Sequence, residues 1–196
     1  MILDRPPRQH PHPTVGLRCI KTAISAALCA MLYFIADRNP TFACIGAVFG
    51  MGQDMDSSRL HGGNRFFGTI IGGLIGMLLF RVYLIFYPDG KPRLLLVLLT
   101  FLGVVLLIVL CQMIWVGGVQ PGSVVLCIIL FNTPPDAYIS YSLNRMADTG
   151  IGVLMSLLIN YLLPRHRLLR WSGLLKRRLR LKLTDEERSL LEQDPV

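Results

Sequence analysis

Charged side chains are scarce in this sequence of 196 residues: Asp, Glu, Lys and Arg together make up 16% of it, whereas a soluble domain carries about a quarter. Hydrophobic residues make up 53%, and the mean hydropathy is +0.52. Because one small core cannot bury so much apolar surface, the composition argues against a soluble enzyme and against a disordered chain. It predicts an integral membrane protein.

Paired cysteines and catalytic clusters are lacking as well. The five cysteines are odd in number, widely spaced and set in apolar runs, which excludes a secreted disulfide scaffold and a short metal or redox motif. The four histidines do not combine with Ser, Cys or acidic residues into a catalytic set, a metal-binding spacing or a phosphate loop. The sequence therefore predicts no enzyme, no metal and no cofactor.

Six apolar segments are separated by prolines, glycines and charges, at about residues 16–36, 41–55, 66–87, 94–116, 119–131 and 146–163. A helix needs about 20 residues to cross the hydrocarbon layer. Four segments reach or approach that length, whereas the second and fifth are short and interrupted by glycine or proline. We expect an all-α domain with six crossings over residues 16–164. Four crossings with two re-entrant segments is the alternative.

Positive charge is unevenly placed along these segments. With six crossings and a cytoplasmic N-terminus, 15 of the 20 Lys and Arg residues fall on the inner side, as the positive-inside rule requires. This predicts a multi-pass protein of the cell (plasma or inner) membrane with both termini in the cytoplasm. Residues 1–15 are expected to form a Pro-rich cytoplasmic tail.

The last part of the chain, residues 165–196, is expected to be a cytoplasmic tail that begins with a basic amphipathic helix. From Arg165 to Lys182, basic residues alternate with Leu and Trp at spacings of three and four. Such a helix suits the anionic lipids of the inner leaflet. Because the chain also has six predicted membrane segments, the basic charge of this tail does not predict a nucleic-acid partner.

An internal repeat links the third and sixth segments. Residues 64–72 and 144–152 both read N-R-x-x-x-T-x-x-G, and each follows one of the two short segments. An odd number of crossings in each half inverts the second half relative to the first. We therefore expect two three-helix repeats of inverted topology.

The repeated motif predicts an anion site. Short, interrupted segments at matching positions of two halves are typical of a transporter's binding site. An Asn-Arg pair at a helix start adds a cation to the positive end of the helix dipole, which suits a carboxylate, and a Thr hydroxyl further along can orient it. The candidate residues are Lys21, Asn64, Arg65, Thr69, Asn144, Arg145 and Thr149.

Each candidate has a structural alternative. An arginine at the end of a membrane span can simply anchor to lipid phosphate, and a threonine can bond its own helix. Lys21 lies just inside the first segment, where its side chain can extend to the interface instead of facing an anion pathway.

Three acidic residues need separate interpretation. Asp148 is the sole carboxylate within a predicted span, so it is the candidate for proton coupling. An ion pair with Arg145, three residues earlier, is the simpler expectation. Asp54 and Asp56 are expected to lie in a solvated cytoplasmic loop rather than to hold a metal ion.

These motifs resemble the aromatic acid exporter family, within the fusaric acid resistance-like superfamily that includes plant aluminium-activated malate transporters. The resemblance is carried by residues 16–23, by Asn64-Arg65 with Gly68, Thr69 and Gly72, and by Arg145 with Thr149, Gly152 and Asn160. It implies a six-helix unit, paired as a homodimer, that passes small organic or aromatic carboxylates, often out of the cell. Larger members add a cytoplasmic domain or a second membrane half. In this sequence only residues 165–196 follow the membrane segments. Because of this difference, the alternative function is a non-transporting membrane protein that anchors or assembles with a partner.

Overall fold

The computed structural model describes residues 17–90 and 94–163, and these residues form six α-helices, one 3₁₀ turn and no strand. In chain order the elements are α1 (Leu17–Ile35), α2 (Thr41–Gly50), α3 (Met55–Phe86), α4 (Leu94–Ile114), the 3₁₀ turn (Val116–Gly118), α5 (Val119–Asn132) and α6 (Tyr138–Leu162). The predicted all-helical fold is therefore confirmed for the described residues. The expected Pro-rich tail at 1–15 and the basic tail from Arg165 to Lys182 and beyond lie outside them.

Helices α3 and α6 begin earlier than the hydropathy pattern predicts, at Met55 rather than 66 and at Tyr138 rather than 146. The start of α3 is set by a capping box: the backbone N–H of Ser57 donates to the Asp54 carboxylate over 2.8 Å, and the Asp54 N–H donates to the Ser57 hydroxyl over 3.2 Å. Asp54 and Asp56 are both exposed, as expected for a solvated segment, and Asp54 lies in the connection before α3; the expected loop is wrong for Asp56, which belongs to the first turn of the helix. Capping, not hydropathy, decides where this helix begins.

The antiparallel pair α3 and α6 lies at the centre of the bundle. A Cβ added at Gly62 would contact Val153 near one end of the pair, and a Cβ added at Gly73 would contact Met146 near the other. The start of α1 meets the end of α6, since Lys21 contacts Asn160. We call that end of the bundle the lower end and the opposite end the upper end.

Each central helix has a short parallel neighbour. Helix α5 runs alongside α3, where Gly68 faces Gly118 and Gly72 faces Gly122. Helix α2 runs alongside α6, where Gly46 lies against Thr149 and Gly152. Because small residues occupy both contacts, the backbones approach closely.

Two apolar clusters hold the helices together. The larger cluster joins α3, α4 and α5 through buried residues such as Phe80, Leu107 and Ile129, and the smaller joins α1 and α2 through Cys29 and Ala43. By contrast, α4 exposes one long apolar face, with Leu94 84% exposed. A surface of this kind suits lipid rather than water.

Three described helices, α1, α3 and α4, are long and apolar enough to cross a membrane. Helix α2 and the stretch Val116–Asn132 are apolar but shorter. Helix α6 has 25 residues, enough for about 37 Å, but it carries Arg145 and Asp148. The chain is thus a multi-pass helical membrane protein, and the number of six crossings stays a prediction.

Candidate functional site

A cavity of about 760 Å³ opens between α1, α2, α3, α5 and α6. This volume lies within the range of about 300–1,000 Å³ that is usual for small-molecule sites. Its polar side chains are mainly those of basic and amide residues, namely Arg18, His61, Asn64, Arg65, Gln120 and Arg145, and its described lining includes no Asp or Glu. The remaining walls are largely apolar, so the cavity combines hydrogen-bond donors with an apolar surface.

Arg145 lies on α6 at one side of this cavity and is only 2% exposed. Its guanidinium carbon lies 3.9 Å from the centre of the Phe42 ring, and its Nη1 lies 3.4 Å from the Tyr141 hydroxyl. Its Nε is buried and has no hydrogen-bond partner among the described residues. The Phe42 ring offsets part of the free-energy cost of burying the Arg145 guanidinium. The Nε–H donor still has no acceptor, which is unfavourable in a buried position.

Arg65 approaches the same cavity from α3. Its guanidinium carbon lies 5.2 Å from the centre of the Phe49 ring, and its buried Nε also lacks a partner within the described part of the chain. Arg65 and Arg145 carry like charges and line the same cavity, which is electrostatically unfavourable unless an anion lies between them. The ion pairs found in residues 17–90 and 94–163 involve other arginines, Arg38 and Arg59. The buried Arg145 and the half-buried Arg65 thus share one cavity whose described lining includes no carboxylate.

Asn64 is the third predicted residue that lines the cavity. Its side-chain oxygen accepts a hydrogen bond of 2.6 Å from the indole Nε1 of Trp115, which lies between α4 and the 3₁₀ turn. The sequence contains no signal for this contact, because the two residues are 51 positions apart. Trp115 is a functional candidate that the sequence did not indicate, and so are the lining residues Arg18, His61 and Gln120.

Lys21 does not line the cavity. It is 2% exposed, and its Nζ donates to Asn160 Oδ1 over 2.7 Å. Asn160 Nδ2 donates in turn to the Ser58 hydroxyl over 2.7 Å, and the same hydroxyl accepts from the Gly52 N–H over 2.8 Å. The side chain therefore does not extend to the interface; it joins a buried polar network that connects α1, α3 and α6 at the lower end.

Asp148 is paired at the upper end with residues that the sequence did not indicate. Its carboxylate accepts from the Tyr33 hydroxyl over 2.7 Å and from Arg38 Nη2 over 3.1 Å. The expected ion pair with Arg145 is therefore wrong, because Arg145 packs against α2 while Asp148 faces α1 and the connection that follows it. Proton coupling by Asp148 stays a prediction.

A family model described as Aromatic acid exporter family member 1 matches residues 14–163. The chain belongs to the aromatic acid exporter family. No curated protein and no solved structure shows significant similarity to it. Family membership confirms the resemblance noted above, and it indicates a membrane transporter of aromatic acids rather than an enzyme.

The remaining motif residues of this exporter-family chain lie away from the cavity lining. Thr69 and Thr149 are buried in helix contacts, and the Thr69 hydroxyl has no partner among the described residues. Asn144 is exposed and accepts from Arg38 Nη2 over 3.2 Å. Of the seven predicted binding residues, the cavity brings together Asn64, Arg65 and Arg145; anion binding by any of the seven stays a prediction.

The expected contribution of helix dipoles is wrong. Asn64 and Arg65 are the tenth and eleventh residues of α3, and Asn144 and Arg145 are the seventh and eighth of α6. The dipole acts mainly within the first turn of a helix. The positive charges that these two motifs bring to the cavity therefore come from the guanidinium groups and not from the starts of α3 and α6.

Proposed function

We propose that this protein transports small organic carboxylates, with aromatic acids as the preferred class, through the cavity that Arg65 and Arg145 share. The observation that carries this proposal is the placement of two like charges, the buried Arg145 and the half-buried Arg65, at one cavity whose described lining includes no carboxylate. An anion between them would remove the repulsion and use the free guanidinium donors.

The walls of the cavity favour an aromatic anion. Phe42 lies under the Arg145 guanidinium and Phe49 under that of Arg65. A benzoate-like ligand can place its carboxylate at the arginines and pack its ring against these phenyl groups. An inorganic anion would leave that apolar surface unused.

We also propose that the six helices cross the membrane as two inverted halves, α1–α3 and α4–α6. The helix contacts support this arrangement, because exchanging the halves reproduces most of them; the contact of α2 with α3 is the exception, since α5 and α6 make no comparable contact in the described residues. Helix α2 lies along α6 as α5 lies along α3, and α1 contacts α2 and α6 as α4 contacts α5 and α3. Inverted halves with a site at their interface are typical of transporters.

Export is the direction that we propose for this site. The cavity lining includes Arg18, Phe49 and His61, which lie toward the lower end of the bundle. The positive-inside rule favours a cytoplasmic location for that end. A cavity that collects its ligand from the cytoplasm suits efflux. The homodimer and the contact of the basic tail with inner-leaflet lipids are further proposals for the whole protein.

Flux measurements test the proposed function. Purified protein in liposomes loaded with labelled benzoate should release it faster than protein-free liposomes. Arg65→Ala and Arg145→Ala should each lower the protein-dependent rate about tenfold or more, since a charged hydrogen bond contributes about 1.5–3 kcal/mol. Arg59→Ala is the matched control, because Arg59 is also on α3 but is 70% exposed and paired with Asp56.

Correctly inserted wild-type protein without benzoate flux would contradict transport and favour the alternative of a membrane protein that assembles with a partner. Flux that is unchanged in both arginine variants would show that the cavity is not the pathway. Elution of each variant as a single species in detergent checks that it has folded.

A further inference from the structure

The orientation of the Asn64 side-chain amide follows from the chemistry of its hydrogen-bond partner, Trp115. An indole N–H can donate a hydrogen bond but cannot accept one. The amide atom that lies 2.6 Å from Trp115 Nε1 must therefore be the carbonyl oxygen of Asn64. Since Asn64 lines the cavity, its NH₂ group is the end of the amide that remains for a ligand.

Trp115 is well placed to hold the amide in this orientation. Its ring packs on Phe67, with centroids 4.9 Å apart. A Cβ added at Gly63 would lie 2.9 Å from the indole, and one added at Gly117 would collide with the Asn64 amide. The Trp115 indole, the Asn64 amide and the 3₁₀ turn are thus closely packed against one another.

The same arrangement recurs in the other half of the chain. Asn144 matches Asn64 in the repeated motif, and its side-chain oxygen accepts from Arg38, which lies between α1 and α2. Trp115 lies at the corresponding place between α4 and α5. A guanidinium, like an indole, is solely a donor. In both halves a donor from the connection between the first two helices turns the asparagine oxygen toward itself.

We propose that Trp115 is a positioning residue for anion binding: its indole N–H holds the Asn64 amide so that the NH₂ group, next to Arg65, faces a carboxylate in the cavity. This inference rests on the proposed function. A free asparagine could equally present its oxygen, which would repel the anion. The hydrogen bond to the indole fixes the amide in the favourable orientation before the ligand arrives. Binding therefore does not have to supply the free energy of reorienting it.

Trp115→Phe tests the proposal, because phenylalanine keeps a ring against Phe67 but has no N–H. We expect the dissociation constant for sodium benzoate, measured by calorimetry on the full chain in detergent, to rise about fivefold, as for the loss of one hydrogen bond. Asn64→Ala should have a similar effect. The double variant should bind no more weakly than Asn64→Ala, because Trp115 acts through Asn64.

Phe67→Leu serves as the control, since it loosens the packing of the indole but keeps the N–H. It should change benzoate binding less than Trp115→Phe does. Equal weakening by both variants would mean that Trp115 contributes packing alone and would overturn the proposal. So would independent, additive effects of Trp115→Phe and Asn64→Ala.

A second measurement tests the hydrogen bond without any ligand. With tryptophan labelled at the indole nitrogen, and Trp171→Phe as the background, the remaining N–H resonance reports on Trp115. Asn64→Ala should shift this resonance; an unchanged resonance overturns the proposal. If wild-type protein binds no benzoate, the proposed function fails and the ligand role of Trp115 with it. If wild type binds and Trp115→Phe binds equally well, this inference fails by itself.

Discussion

The two copies of the Asn-Arg motif have the same sequence pattern but different surroundings. Asn64 and Arg65 both line the cavity, whereas of the second pair Arg145 lines it and Asn144 is exposed at the upper end. The position four residues after each asparagine also differs. Gly68 lets α5 approach α3, while Asp148 binds side chains from α1 and the connection after it.

This difference shows what the repeat does and does not determine. The shared small residues set how each central helix packs against its parallel neighbour. The residue that replaces Gly68 in the second half decides whether that end is joined by a charge pair. Both residues of the first motif border the cavity, whereas beside the second motif Asp148 forms an ion pair with Arg38 from the connection after α1.

The largest expected effects come from the glycines that the halves share. A Cβ at Gly72 would collide with the carbonyl oxygen of Gly122, and a Cβ at Gly152 with that of Ala43. Because a backbone oxygen cannot move aside, Gly72→Ala and Gly152→Ala should each destabilise the protein by about 3 kcal/mol. Thermal unfolding in detergent measures this loss.

Gly73→Ala is the control for that pair, since its Cβ would meet only the terminal methyl of Met146, which can turn away. Its unfolding temperature should stay close to that of wild type. If just one of Gly72→Ala and Gly152→Ala is harmful, the two halves do not pack alike and the proposed repeat is weakened.

A smaller effect should follow from removing the residue by which the halves differ. Asp148→Ala leaves the Tyr33 hydroxyl and Arg38 without their shared acceptor. We expect a loss of about 2 kcal/mol, because the carboxylate is 5% exposed and accepts two hydrogen bonds. Unfolding in detergent, compared with Asp56→Ala, measures it; the exposed pair of Asp56 with Arg59 should contribute almost nothing. Equal losses in the two variants would contradict a structural role for the upper cluster.

The smallest effect concerns the starts of the two central helices. Helix α3 begins with the capping box of Asp54 and Ser57, whereas the N-cap of α6, Ala137, makes no side-chain hydrogen bond. The hydrogen bonds from Ser57 lower the pKa of Asp54 below its usual value of 3.8. Its contribution to stability is therefore present above the unfolded-state pKa and is lost as the pH falls through the folded-state pKa.

Between about pH 6 and about pH 3, wild type should lose slightly more stability than Asp54→Asn, whose amide does not titrate in this range. Unfolding temperatures at the two pH values measure the difference. Asp56→Asn is the control, since Asp56 lies in the first turn without forming the cap. Identical pH dependence in wild type and Asp54→Asn would show that the cap does not contribute to folding.

The sequence by itself determined the membrane class, the helical segments, the repeated motif and two of the three arginines that line the cavity, Arg65 and Arg145. These follow from composition, hydropathy and local spacing, which act over a few turns of helix. It did not determine where α3 and α6 begin, because a hydropathy pattern detects the apolar part of a helix and misses its more polar first turns.

Only the tertiary structure decided which polar groups meet. Lys21 bonds to Asn160, Asp148 to Arg38, and Asn64 to Trp115, across separations of 139, 110 and 51 residues. No local spacing encodes these contacts, since each depends on how two helices and a connection are placed side by side. Most buried polar groups in folded proteins have a hydrogen-bond partner. Arg65 and Arg145 each keep an unpaired Nε–H, because the described lining of their shared cavity includes no carboxylate.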